Sequence, residues 1–143
     1  MSFANNVYNT LNGNSGTSFS PGISFGGATT GITYGLQFGY YQRIGNVLFY
    51  TIYIQLTSKG SATGTARITN SPILANGSNI CRLPALTKNI DLPANYYTIF
   101  VVPTSSALTW SLVAGGDNNS ILTLDDTVFS NDSEIISSGF YFV

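Results

Sequence analysis

Histidine is absent from this 143-residue chain, cysteine occurs once, and only five Lys or Arg and six Asp or Glu are present. Each shortage excludes something. Without histidine there is no Ser-His-Asp or Cys-His arrangement and no zinc site of a common kind. The lone Cys81 cannot form an internal disulfide. It reads as a small, half-buried strand residue, and a single thiol fits folding in a reducing cytoplasm. Charged residues make up 8% of the chain, against ~25% in an average soluble domain. A net charge of −1 offers no basic stripe, so neither nucleic acid nor an anionic membrane is an expected partner. No apolar run approaches the ~18 residues of a spanning helix, and the first residues do not read as a basic-then-apolar secretion signal. No glycine loop ends in the Gly-Lys-Ser/Thr that cradles phosphate. No cofactor or metal is expected.

What the chain does have is 43% hydrophobic residues, fifteen Gly, nine Tyr, nine Phe and Trp110. That is enough apolar material to bury a substantial core in one domain. Residues 1–20 differ from the rest. Phe3 to Leu11 read as a lead-in that packs on the body or on a neighbouring subunit, and Asn12 to Ser18 as a linker. Residues 21–143 form the domain proper. Strands are expected over 22–25, 31–34, 39–44, 47–56, 65–69, 80–83, 96–102, 108–113, 120–124 and 139–143. Gly26-Gly27, Gly45-Asn46, Lys59-Gly60, Asn76-Gly77 and Gly115-Gly116 mark the turns between them, and Gly45-Asn46 suits a two-residue hairpin. Asp125 to Ile135 could hold one capped helical turn. Short strands at this spacing predict an all-β fold, an antiparallel β-sandwich of jelly-roll type or a barrel.

The 47–56 strand carries a further signal. Leu48, Tyr50, Ile52, Ile54 and Leu56 alternate with Val47, Phe49, Thr51, Tyr53 and Gln55. In a two-layer sandwich one such face is polar, yet here both carry aromatic or aliphatic groups. The second face is therefore expected to be covered, by another subunit or by the lead-in. The chain closes on Ser-Gly-Phe-Tyr-Phe-Val, an apolar strand expected inside a sheet near that contact. Val47, Phe49, Tyr53, Phe140 and Phe142 are the candidate interface residues.

Catalytic pairs are scarce. A glycosidase needs two carboxylates at a set separation across a cleft. Asp125 and Asp126 are adjacent and would point to opposite sides of an extended segment, so turn and cap duty is the expectation. Asp117, Asn118, Asp125 and Asp126 offer calcium-type oxygens at a spacing that matches no loop signature. Tyr, Asn, Ser and Thr suit sugar recognition instead: a ring stacks on the apolar face of a pyranose while amides and hydroxyls bond its OH groups. The candidate ligand-binding residues are Trp110, Tyr97, Asp117, Asn118 and Asn119. Leu108 and Leu112 share a strand face with Trp110, which favours a core role there over ligand binding. In Tyr40-Tyr41 and Tyr96-Tyr97 one ring of each pair points outward. Arg43 and Arg67 are candidates for ligand contact or for pairing with buried carboxylates.

Phe-Gly-Gly-x-x-x-Gly-Ile-Thr-Tyr (25–34), Gly-Tyr-Tyr-Gln-Arg-Ile-Gly-Asn (39–46), Leu-Thr-Ser-Lys-Gly-Ser-Ala-Thr-Gly (56–64) and Ser-Gly-Phe-Tyr (138–141) stand in this order along the chain. Together they resemble the C-terminal head or receptor-binding domains of bacteriophage tail fibres, tailspikes and related virion proteins. The likeness is best over 21–72, looser over 120–143 and not evident between. It implies a homotrimeric β-sandwich tip without catalytic residues. Such a tip lies on the virion tail or capsid surface and folds in the host cytoplasm. Its partners would be copies of itself, other virion proteins and a host-surface glycan or protein. A ligand-free trimerisation cap or capsid decoration, and the carbohydrate-binding module of a polysaccharide depolymerase, are the competing expectations. The matched Gly and aromatic positions read as scaffold and do not locate a binding site.

Overall fold

The computed structural model describes residues 16–77 and 81–143. Among them ten strands run β1 (Thr17–Phe19), β2 (Gly22–Phe25), β3 (Ile32–Ile44), β4 (Val47–Lys59), β5 (Ala66–Thr69), β6 (Leu83–Ile90), β7 (Tyr96–Pro103), β8 (Thr109–Gly116), β9 (Ile121–Thr123) and β10 (Phe129–Phe142). The pairs are antiparallel. They form one sheet in the order β1-β3-β4-β10-β6-β7-β8-β5-β2, with β9 on β8.

This order forces the sheet to curl. Its two edges, β1 and β2, are neighbours in sequence, separated by Ser20 and Pro21. That connection spans at most ~11 Å. In a flat sheet nine strands at ~4.8 Å spacing would hold the same edges on the order of 40 Å apart. The result is a curled sheet, a half-barrel. Side chains tie its ends together. Ile23 N–H in β2 donates to the Tyr34 hydroxyl of β3 at 2.8 Å. The Gln37 amide donates to the Pro21 carbonyl at 3.1 Å, and Asn70 donates to the Ser20 carbonyl at 3.1 Å.

Inside the curl, β8 faces β4 and β10. Trp110 is fully buried, with its ring 4.6 Å from Tyr50, 5.9 Å from Tyr141 and 6.2 Å from Phe19. Leu48, Ile52, Ile54, Ile68, Leu112 and Ile135 complete this core, each contributing ~1.5–3 kcal/mol by burial. Three of its hydroxyls are partnered, whereas the Trp110 indole N–H is buried without a hydrogen-bond partner among the described residues. The Tyr50 and Ser137 hydroxyls lie 2.9 Å apart, Ser137 donates to the Pro84 carbonyl at 3.0 Å, and Tyr141 donates to the Ile73 carbonyl at 2.7 Å. Burial pushes both the Tyr50 and Tyr141 phenols up to about 12.

Several elements differ from the sequence reading. The expected strands 31–34 and 39–44 are one strand, β3, which passes through Gly35 and Gly39. Gly39 is needed there because a Cβ would lie 2.6 Å from the Phe19 ring. Gly115-Gly116 is the end of β8 and not a turn. The helical turn expected from Asp125 shrinks to a 3-10 turn over Asp126–Val128, capped by the Asp125 carboxylate accepting from Thr127 N–H at 2.9 Å. The 14-residue β10 follows at once. Asn12 to Ser18 is not all linker, since Thr17 and Ser18 pair with Tyr41 and Tyr40. The 80–83 strand starts at Leu83 and runs on to Ile90, through Pro84. The Gly45-Asn46 hairpin is present, with Ile44 opposite Val47. The lead-in over Phe3 to Leu11 lies outside the described residues.

Candidate functional site: an outer groove and an aromatic sheet face

Two features stand on the outer surface of the curl. The first is a groove of about 330 Å³ over β7, β8 and the start of β9, near the lower end of the ~300–1,000 Å³ range of small-ligand sites. Thr98, Phe100, Val113 and Gly115 form its floor, while Arg82, Tyr97, Asn119, Ser120 and Ile121 line it from the ends of strands and from turns. Gly115 lets the Phe100 ring pack closely: a Cβ there would stand 3.0 Å from it and would push the ring by a few tenths of an ångström.

Tyr97 reaches the groove because the ladder skips it. Tyr96 pairs with Gly116 and Thr98 with Gly115, so Tyr97 is the extra residue of a bulge and is 68% exposed. Bulges re-aim side chains in this way. Its hydroxyl donates to the Asp117 carboxylate at 3.1 Å, which fixes the ring. The Asp117–Asn119 turn is held by its own backbone: Asp117 N–H bonds the Asn95 carbonyl at 3.0 Å, and Ser120 N–H bonds the Asp117 carbonyl at 3.0 Å. Asn118 and Asn119 sit at φ 53° and 59°, the left-handed region that Asn tolerates better than most residues.

Of the ligand candidates read from sequence, Tyr97 and Asn119 line the groove and Asp117 orients Tyr97. Asn118 belongs to the same turn but does not line it. Trp110 lies in the core, the reading its strand spacing favoured, and its ligand candidacy falls: at 0% exposure, packed among Tyr50, Tyr141 and Phe19, it presents no face to a surface ligand. Arg82 and Phe100 were not singled out in the sequence. Alternation along 96–102 would have put Phe100 on the outer face, but nothing local marks Arg82.

The second feature is the outer face of β3, β4 and β10. Phe49 and Phe140 are directly opposed, 5.8 Å apart and 46% and 47% exposed. Val47 pairs with Phe142, and Phe140 meets Phe142 at 6.5 Å. Leu36, Phe38, Tyr40 and Ile44 extend the apolar surface across β3, each at least 38% exposed. Tyr53 closes the far end by donating to Glu134 at 3.2 Å. Glu134 also takes Lys88 at 3.2 Å and Gln55 at 3.2 Å, and the Lys88 bond is the main cause that lowers its pKa. The five interface residues read from the sequence thus lie on one face. Leu36, Phe38 and Ile44 of β3 were missed because Gly35 and Gly39 broke its alternation when read locally.

Most of the remaining charges serve the scaffold. Asp126 accepts from Gly64 N–H at 2.7 Å and pairs with Lys59 at 3.7 Å. Asp132 takes Asn89 at 2.7 Å and Ser130 at 2.8 Å. Asp125 holds Thr127, whose bonds lower its pKa. Arg67 donates to Ser111 at 3.3 Å and Arg43 to the Gly45 carbonyl at 2.7 Å. Among the described residues no three of His, Cys, Asp and Glu cluster as metal ligands, and no helix is long and apolar enough to cross a membrane. The chain matches no protein-family model, no curated protein and no solved structure.

Proposed function

We propose that the chain is a non-enzymatic virion module, the tip of a tail fibre or spike, that trimerises and binds a host-surface glycan. The observation that carries this reading is the exposed aromatic face around Phe49 and Phe140, in a chain with only 8% charged residues. A contiguous apolar surface of this kind marks an interaction site. Its central strands β3, β4 and β10 place Phe38, Tyr40, Phe49 and Phe140 outward without an intervening charge, so like copies can meet without burying unpaired ions. A jelly-roll-like trimer uses such faces around its axis and leaves the Tyr97 groove open for a saccharide.

The carboxylates support a non-enzymatic reading. Of the six, Asp117, Asp125, Asp126, Asp132 and Glu134 each hold a turn, a ring or a cation; Asp91 lies with Asp132 along a separate, more open groove beside Phe129. No two of them line the groove. A ligand-free trimerisation cap is the second reading, favoured by the aromatic face being independent of the groove. A polysaccharide-depolymerase accessory module is the third.

Light scattering behind a sizing column tests the assembly: about three chains per particle is the expected mass, and a monomer overturns the trimer. A glycan array tests the ligand. Binding that survives in Trp110→Phe and is lost in Tyr97→Ala supports the groove. A stable trimer that binds no glycan leaves the cap reading.

A further inference from the structure

The groove has a charge character that the chain as a whole lacks. Net charge is −1, yet no carboxylate is among the groove's lining residues, and one guanidinium is. Four of the five cations are committed elsewhere: Lys59 to Asp126, Lys88 to Glu134, Arg67 to Ser111 and Arg43 to the Gly45 carbonyl. Arg82 is different. It is exposed, it lines the groove, and among the described residues it has neither a hydrogen bond nor an ion pair. The nearby acid, Asp117, does not line the groove and accepts the Tyr97 hydroxyl.

We infer that the groove takes an acidic saccharide, a pyranose bearing a carboxylate, with Arg82 holding the carboxylate and Tyr97 and Phe100 meeting the ring. This rests on the glycan-binding reading above and narrows it. A guanidinium presents a planar fork that matches a carboxylate in two parallel bonds. A single cation, with no lysine beside it in the groove, matches a ligand group of charge −1 better than a doubly charged phosphate. Asn119 and Ser120 line the same groove and can bond sugar hydroxyls, Ser120 as an acceptor because its own hydroxyl donates to the Asp117 carbonyl at 2.7 Å, and Phe100, Val113 and Gly115 make most of the floor apolar.

The test is titration calorimetry, followed by amide chemical shifts, on the full chain. The probes are galacturonate, glucuronate, mannuronate and sialyl oligosaccharides, each beside its methyl ester. Esterification removes the charge and keeps the ring. The expected result is binding of at least one acid, weakened ~10- to 100-fold in its ester and in Arg82→Gln. Arg82→Lys should retain part of the affinity, and shifts should centre on Thr98, Gly115 and Asn119. Because Arg82 makes no bond to the described residues, Arg82→Gln should melt with the parent, which separates lost binding from lost fold. Equal binding of acid and ester, or an Arg82→Gln variant that binds as well as the parent, overturns the acidic assignment and leaves glycan binding standing. Binding to none of the pairs, together with an empty glycan array, overturns both.

Discussion

The two faces of β4 and β10 are built from alternate residues of the same strands, and they do different work. Inward, Leu48, Tyr50, Ile52, Ile54, Ile135 and Tyr141 are at most 4% exposed and share one core, with Tyr50 and Tyr141 packed on Trp110 across the curl. Outward, Phe49 and Phe140 are nearly half exposed although they are just as apolar. At these positions residue type does not distinguish the faces. What does is that the sheet rolls over one of them. The inner face therefore sets the stability of the single chain, and the outer face stays exposed on it.

The comparison breaks most sharply at Trp110. Trp110→Ala should cost ~3–5 kcal/mol in urea unfolding. A loss below ~1 kcal/mol would mean the inner cluster does not hold the fold. Alkaline titration gives the next largest effect. Tyr50 and Tyr141 have folded pKa values of about 12, above the ordinary 10.0. Below pH ~10 both states keep these protons and stability is flat. Between ~10 and ~12 the unfolded chain releases them while the folded one keeps them, so stability should fall as pH rises, by up to ~1.4 kcal/mol per unit for each tyrosine. Tyr50→Phe should remove about half of that slope in denaturant midpoints measured against pH.

Tyr34→Phe probes the seam that closes the curl. It strips the acceptor from the N–H of Ile23, a fully buried residue, and should cost ~1–3 kcal/mol. Hydrogen exchange at Ile23 should quicken. The outer face should respond least in intrinsic stability. Phe49→Ser with Phe140→Ser should change the unfolding free energy of the dissociated chain by less than ~1 kcal/mol, yet drop the light-scattering mass from about three chains to one. Loss of the fold in this double variant would erase the contrast between the faces.

Much of the fold was legible locally. Gly22–Phe25, the Gly45-Asn46 hairpin and the start of the central strand carry period-two alternation and turn residues that need no distant partner. What failed locally was continuity. Gly35 and Gly39 look like breaks, yet β3 runs through them because Phe19 covers the missing side chain at Gly39. Pro84 looks like a strand terminator, but β6 continues past it on β10. The Asp125 cap was readable, whereas the length of β10 depended on ladders with β4 and β6. At the groove, Tyr97 and the Asp117–Asn119 turn could be proposed from residue type. Arg82 could not, because its position beside them exists only after β6, β7, β8 and β9 are assembled.

The sequence by itself determined that this chain is antiparallel β, that two faces of its central strand are apolar, and that histidine chemistry is excluded. Alternation, turn residues and composition are local properties, and they suffice for that. Only the tertiary structure decided which apolar face is core. Ser20 and Pro21 must join the two edges of the sheet, so it curls and buries Trp110 with Tyr50 and Tyr141. The same curl turns Phe49 and Phe140 outward and gathers Arg82, Tyr97 and Asn119 around one groove. These are contacts between residues far apart in the chain, fixed by sheet order and not by any local pattern.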